Sequence, residues 1–237
     1  MTVLIGDIVS GRRAKGAMLP REVDMAEQFD ISRGVARETI RALEERGLVA
    51  VKHGRGATVV DEDQWNILDA DVLEALLDSD QGGAVLGQYL ECRRILEVEA
   101  ASMAAQKATK KHIASMDSAL AAMEDATSRA SERDAERLFH EADVDFHQAV
   151  MRATGNRALG ALAERIHTAL LVARFPLARP EYRQQRALPE HRRILEAVRA
   201  GDAEAAGQAM SDHLDTIASY LHDQQRSTRR RRSPAAA

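Results

Sequence analysis

The stretch from Leu19 to Val60, LPREVDMAEQFDISRGVARETIRALEERGLVAVKHGRGATVV, constrains this chain more than any other. It holds a short helix pattern, a polar turn, a second helix that opens on arginine, and a Gly-rich hairpin. Pro20 suits a helix start, where a missing N–H costs nothing. Met25, Ala26 and Phe29 recur at helical spacing. Asp30-Ile31-Ser32 interrupts the pattern, and Ser32 can cap the next helix by accepting a backbone N–H. Val35, Ala36, Ile40 and Leu43 make the expected apolar stripe of that second helix, which Gly47 should end. Two β-rich runs follow, Leu48–Val51 and Ala57–Val60, joined by His53-Gly54-Arg55-Gly56. Helix, turn, helix and wing together imply a unit that reads DNA.

The side chains agree. Arg33 and Arg37 lie four apart near the start of the second helix, the part of a recognition helix that faces base edges. A guanidinium fork can pair with guanine O6 and N7, worth about 1–3 kcal/mol of discrimination per bidentate contact. His53, Gly54 and Arg55 at the hairpin tip suit close approach to a phosphate or to the minor groove.

These residues resemble the winged helix-turn-helix of the GntR family of bacterial transcription regulators. That pattern runs LPSE, then VSR with VREAL, then a Gly-rich wing. The matching residues are Leu19-Pro20-Arg21-Glu22, Ile31-Ser32-Arg33, Val35-Ala36-Arg37-Glu38 and His53-Gly54-Arg55-Gly56. The resemblance implies DNA contact by Arg33, Arg37, His53 and Gly54. Val23 departs from it, standing where members often carry a DNA-contacting arginine. Val3–Ser10 gives barely two helical turns before Leu19, as a clipped first helix or a late start would leave.

The chain has 237 residues, of which 45% are hydrophobic, enough for one large or two small cores. A single cysteine, Cys92, excludes a disulfide framework and fits a reducing cytoplasm, the expected location. No apolar run approaches the roughly 20 residues of a membrane span, and no signal peptide is expected. The net charge of −4 looks wrong for a DNA reader until it is divided along the chain. Residues 1–60 carry ten Lys/Arg against eight Asp/Glu, and the last dozen carry five arginines and no acid. The acidic excess therefore belongs to the middle, which should not touch DNA.

After a polar connector at Asp61–Trp65, helical periodicity runs to about Gln225. Breaks are expected at Gly82-Gly83, Gly155-Asn156, Pro176–Pro180 and Gly201-Asp202. The expected fold is mainly α, a winged helix-turn-helix with a small β wing followed by an all-α bundle. The expected division is 1–61 for DNA binding, 62–84 for a linker and connecting helix, 85–225 for the bundle, and 226–237 for a disordered basic tail.

Within the bundle, Asp143 and His147 lie four apart on one helix face, and His191 and His213 fall on later helices. Three imidazoles and a carboxylate suit a divalent ion, zinc first, with nickel, manganese or iron as alternatives. Taken alone, each histidine reads as a packed or surface residue.

The order Asp143-Val144-Asp145-Phe146-His147, Gly155-Asn156, Glu190-His191, Gly201-Asp202 and His213-Leu214 resembles the metal-binding effector domain of the FadR subfamily, called FCD. Glu91-Cys92-Arg93 through Leu96-Glu97 resembles the helix that opens that domain. The resemblance implies Asp143, His147, His191 and His213 as metal ligands, with a small carboxylate effector completing the coordination. His140, a turn before Asp143, is read as a neighbour of the ligands, and Asp145 as solvated. Arg93 is a candidate for holding the effector carboxylate or, equally, a structural partner of Glu97 at i+4; Arg174 is a weaker effector candidate.

The resemblance thus implies a homodimeric repressor that binds a short palindromic operator and is released by an acid, with no enzymatic activity. The run from Trp65 to Leu73 is similar to a linker in members that answer to sugar acids such as galactonate or gluconate; a hydroxy-acid such as lactate is the rival. Two other classes remain open at this point: a sensor for the metal itself, and a metalloenzyme in which the ion activates water.

Overall fold

The computed structural model describes residues 1–52, 56–128, 134–172 and 186–232, without side chains for 171–172 and 220–232. The chain forms two compact units, Met1–Val85 and Leu86–Ala237.

The first unit is built from helices α1 (Thr2–Val9), α2 (Glu22–Phe29) and α3 (Arg33–Glu45), strands β1 (Val49–Lys52) and β2 (Gly56–Val59), and helix α4 (Ala70–Leu77). Asp30 turns the chain between α2 and α3 in the left-handed region, φ 51°, and Ser32 caps α3 by accepting from the Val35 N–H at 3.2 Å. Gly47 follows α3 with φ 69°, and a Cβ there would lie 2.1 Å from the Gln64 carbonyl oxygen. Only glycine satisfies both demands. The strands pair antiparallel, Val49 opposite Val59 and Val51 opposite Ala57, with Met18 bridging to Thr58. Leu4, Ile5 and Ile8 of α1, Met25, Ala36, Leu43, Leu48 and Val59 are buried, as are Val72 and Leu73 of α4, which packs on α1. Val35 leaves the expected stripe: it is 51% exposed, because the inward face of α3 centres on Ala36, Ile40 and Leu43, and Val35 lies off it.

The second unit is helical throughout its described residues: α5 (Gly82–Lys107, which starts in the first unit), α6 (Lys110–Ser128), α7 (Ala135–Ala153), α8 (Arg157–Val172), α9 (Leu188–Ala200) and α10 (Ala203–Arg232). Helix α7 packs on α6 and α8, while α9 packs on α6 and α10. Met116, Met123, Phe146, Met151, Ile194, Leu195 and Met210 fill the core. Two expected breaks share one device. Gly155 and Gly201 take φ 72° and 74°, and the following Asn156 and Asp202 accept backbone N–H groups of α8 and α10. Helix α10 runs on to Arg232, so 226–232 is helix rather than the expected disordered tail. Arginine is a good helix former, and no glycine or proline intervenes before Pro234.

Candidate functional site

Helix α7 carries Asp143 and His147 on its buried face, the first turn of α9 supplies His191, and the middle of α10 supplies His213. Their ligand atoms all lie within 4.8 Å of one another, and all four residues are buried. His191 Nε2 is 3.1 Å from Asp143 Oδ1 and 3.4 Å from His147 Nε2, which in turn is 3.9 Å from Asp143 Oδ1.

Each ring is held from behind. His191 Nδ1 donates to the Ala187 carbonyl at 2.7 Å, and His213 Nδ1 is bound to Glu190 Oε2 at 2.9 Å. His147 Nδ1 lies 2.6 Å from Glu97 Oε2, a close contact though off the ideal hydrogen-bond direction. A carbonyl or carboxylate oxygen can only accept, so each Nδ1 carries the proton and each neutral ring turns the lone pair of Nε2 to the common centre. His213 Nε2 has no hydrogen-bond partner among the described residues. Lone pairs facing one another beside a carboxylate repel unless a proton or a cation lies among them. The donor set therefore fits a divalent ion, with three oriented imidazoles and one carboxylate.

Protonation supports this arrangement. Burial lowers His147 to about 4, against the pull of Glu97, and lowers His213 well below the usual imidazole value, with His191 adding to the effect. Burial alone would raise the Asp143 carboxyl, but the hydrogen bond from His191 and the nearby His147 and Arg93 hold it well below the carboxylate range. The pocket thus keeps its ligands in their metal-binding protonation states at neutral pH.

A buried polar chain lies behind the centre. Arg93 grips Glu97 with Nε at 2.5 Å and a terminal nitrogen at 3.3 Å, and His167 Nε2 sits 2.8 Å from Glu97 Oε1. Arg93 is paired with Glu97 here, the structural side of its two readings. His140 lies on the same face of α7 as Asp143, and its Nε2 is buried without a partner among the described residues. Burial lowers its pKa. Asp145 is exposed, as expected. Sequence reasoning missed Glu97 and Glu190 as the groups that orient His147 and His213, and left His167 among surface or packing histidines. The acidic residue beside His191 in Glu190-His191 was the available signal. Arg33 and Arg37 are exposed in the first turns of α3, as is Val23 in α2. His53, Gly54, Arg55 and Arg174 lie outside the described residues.

A helical domain with an inward His/Asp cluster, joined to a winged helix-turn-helix, defines a class of bacterial regulator. Residues 3–59 match the model of "Bacterial regulatory proteins, gntR family", and residues 88–216 match that of the FCD domain. The chain is 35% identical to the galactonate operon transcriptional repressor of Escherichia coli K12, over 85% of this chain and 86% of that one. It is 33% identical to the HTH-type transcriptional regulator LutR of Bacillus subtilis 168, over 90% and 95%. The solved structure of Lar, which controls expression of the Listeria monocytogenes agr system, shares the fold at TM-score 0.63 and 18% identity, covering 91% of each chain. This chain belongs to the GntR family, with a C-terminal FCD domain: it is a DNA-binding transcriptional regulator and not an enzyme. No described helix is long and apolar enough to cross a membrane.

Proposed function

We propose that the protein is a metabolite-responsive repressor whose signal is a small carboxylic acid, a sugar acid or a hydroxy-acid, sensed beside a divalent metal. Asp143, His147, His191 and His213 would hold the ion, zinc before nickel, manganese or iron, and when bound it supplies a Lewis-acidic anchor for a carboxylate. The convergence of three backed histidines and one carboxylate carries this reading. Glu97, Ala187 and Glu190 fix the rings in advance, so little orientation is left for binding to impose. Arg93, and Arg174 outside the described residues, are the candidates for contact with the acid.

Arg33 and Arg37 would read base edges, with His53, Gly54 and Arg55 at the wing. A homodimer would set two α3 helices about one DNA turn apart on a palindrome. An acid can release DNA only by binding one conformation of the dimer better than another. The likeness to a galactonate operon repressor makes sugar acids the first class to test.

The test compares DNA binding by chelated, zinc-loaded, and zinc-plus-gluconate protein, on duplexes selected from a random library. Release only when zinc and acid are both present is expected. Release by zinc alone would make the ion the signal, and indifference to both would overturn the proposal.

A further inference from the structure

The metal centre accounts for four of the buried titratable side chains in the bundle and leaves others unexplained. Two carry ring nitrogens that are buried and unpartnered among the described residues: His140 Nε2 and His167 Nδ1. Both border the centre. His140 shares a helix face with Asp143 and His147 and lies close enough to Asp143 and Arg93 for their charges to act on it. The His167 ring is 5.6 Å from the His147 ring, centroid to centroid, and only 3% exposed. Buried polar groups are nearly always satisfied, so two such atoms beside one centre call for a shared explanation.

Their chemistry says what they can accept. The Nε2 of His167 faces a Glu97 oxygen at 2.8 Å, which fixes the proton on that nitrogen. Its Nδ1 therefore carries a bare lone pair and requires a hydrogen-bond donor. A carboxylate cannot donate, and Glu97 and Asp143 would repel it. A hydroxyl donates to Nδ1 without bringing charge, and a second hydroxyl can either donate to or accept from His140 Nε2, whichever tautomer that ring adopts.

We propose that His140 and His167 are contacts for the hydroxyl groups of the effector, which makes it a polyhydroxylated monocarboxylic acid. Neither a simple 2-hydroxy-acid nor a dicarboxylate would satisfy both nitrogens. The inference rests on the metal-and-acid reading above and adds the far end of the ligand to it.

Calorimetry on the zinc-loaded full-length protein tests this with gluconate and galactonate against lactate, and with malate as the dicarboxylate. The polyhydroxy acids should bind at least tenfold more tightly than lactate, and malate more weakly still. His140→Leu should cut that preference by about three- to tenfold, one net hydrogen bond, and leave lactate affinity and zinc content unchanged. The same substitution should raise the melting temperature of ligand-free protein, because it removes an unsatisfied buried nitrogen; a merely structural histidine would lower it. His167→Gln keeps an acceptor while sparing the packing, and should retain more of the preference than His167→Leu. Equal affinity for lactate and gluconate, or tighter binding of malate, with zinc dependence intact, would overturn this inference alone. Absence of zinc-dependent binding by every acid would overturn the reading beneath it as well.

Discussion

Glu97 is the residue whose loss the structure makes most costly. Its carboxylate is 1% exposed and meets Arg93, itself 4% exposed, His147 and His167. Replacing it with glutamine keeps the shape but strips the charge, and leaves the Arg93 guanidinium buried without its counter-ion. Breaking a buried pair from one side costs about 3–5 kcal/mol. In a domain of this size each kcal/mol moves the melting temperature by about 2–4 °C, so Glu97→Gln should melt some 10 °C lower or more, at the order-of-magnitude level. Thermal unfolding followed in chelator isolates this effect from metal binding. The double substitution Arg93→Met with Glu97→Leu removes both charges and should recover most of the loss, since apolar replacement of a buried pair is often near neutral. Zinc affinity should stay weaker by about 10–100-fold in the double variant, because His147 Nδ1 has lost its acceptor. A Glu97→Gln protein within about 1 kcal/mol of wild type in chelator would refute the buried ion pair as the bundle's polar anchor.

The remaining expectations are shorter. His213→Ala should lower zinc per subunit and abolish most of the stabilisation that zinc gives wild type, about 2.7 kcal/mol at a hundredfold excess over Kd; zinc analysis and melting curves check both. Stability of the metal-free protein should fall as pH drops from about 6.5 to about 4. His147 is held neutral in the fold, down to about 4, while the unfolded chain takes up a proton near 6.5, an effect worth about 3 kcal/mol. Below that range Asp143 and Glu97, whose folded carboxyls are held low, extend the loss in the same direction, and a pH series of chemical denaturation measures it. Arg37→Ala should weaken specific DNA binding by about 1–3 kcal/mol without changing zinc content, as read by gel shift; unchanged affinity would remove Arg37 from the base-reading face.

What the sequence made legible was local. Ser32 as a cap and Gly47 as a stop are each decided within a few residues, by one hydroxyl reaching a backbone N–H and one left-handed turn, so both were readable in advance. The pairing of Asp143 with His147 needed only a helix and a spacing of four. His191 and His213 were different, since periodicity shows that each lies on a helix but not that two helices close on a third. Only the resemblance to a known domain joined them to the set, and the fold brings all four within 4.8 Å. Val35 misled because a β-branched residue one position from a stripe is indistinguishable from a member of it until the neighbouring helix is in place.

The histidine-orienting groups were hidden for a physical reason. Whether Glu190 backs His213 or simply meets solvent depends on which nitrogen of a ring on α10 faces α9, a choice fixed by rotation about a side chain. The three anchors also differ in kind: one carbonyl four residues before its histidine, one carboxylate on the neighbouring helix, and one carboxylate shared with an arginine and a second histidine. No single spacing rule generates all three. They are nevertheless what separates this cluster from a chance meeting of buried histidines. A chance meeting would leave the tautomers free, whereas here each Nδ1 is committed to an oxygen and each Nε2 is left to the centre. Selective loss of Glu190 should therefore weaken zinc binding while every ligand remains in place.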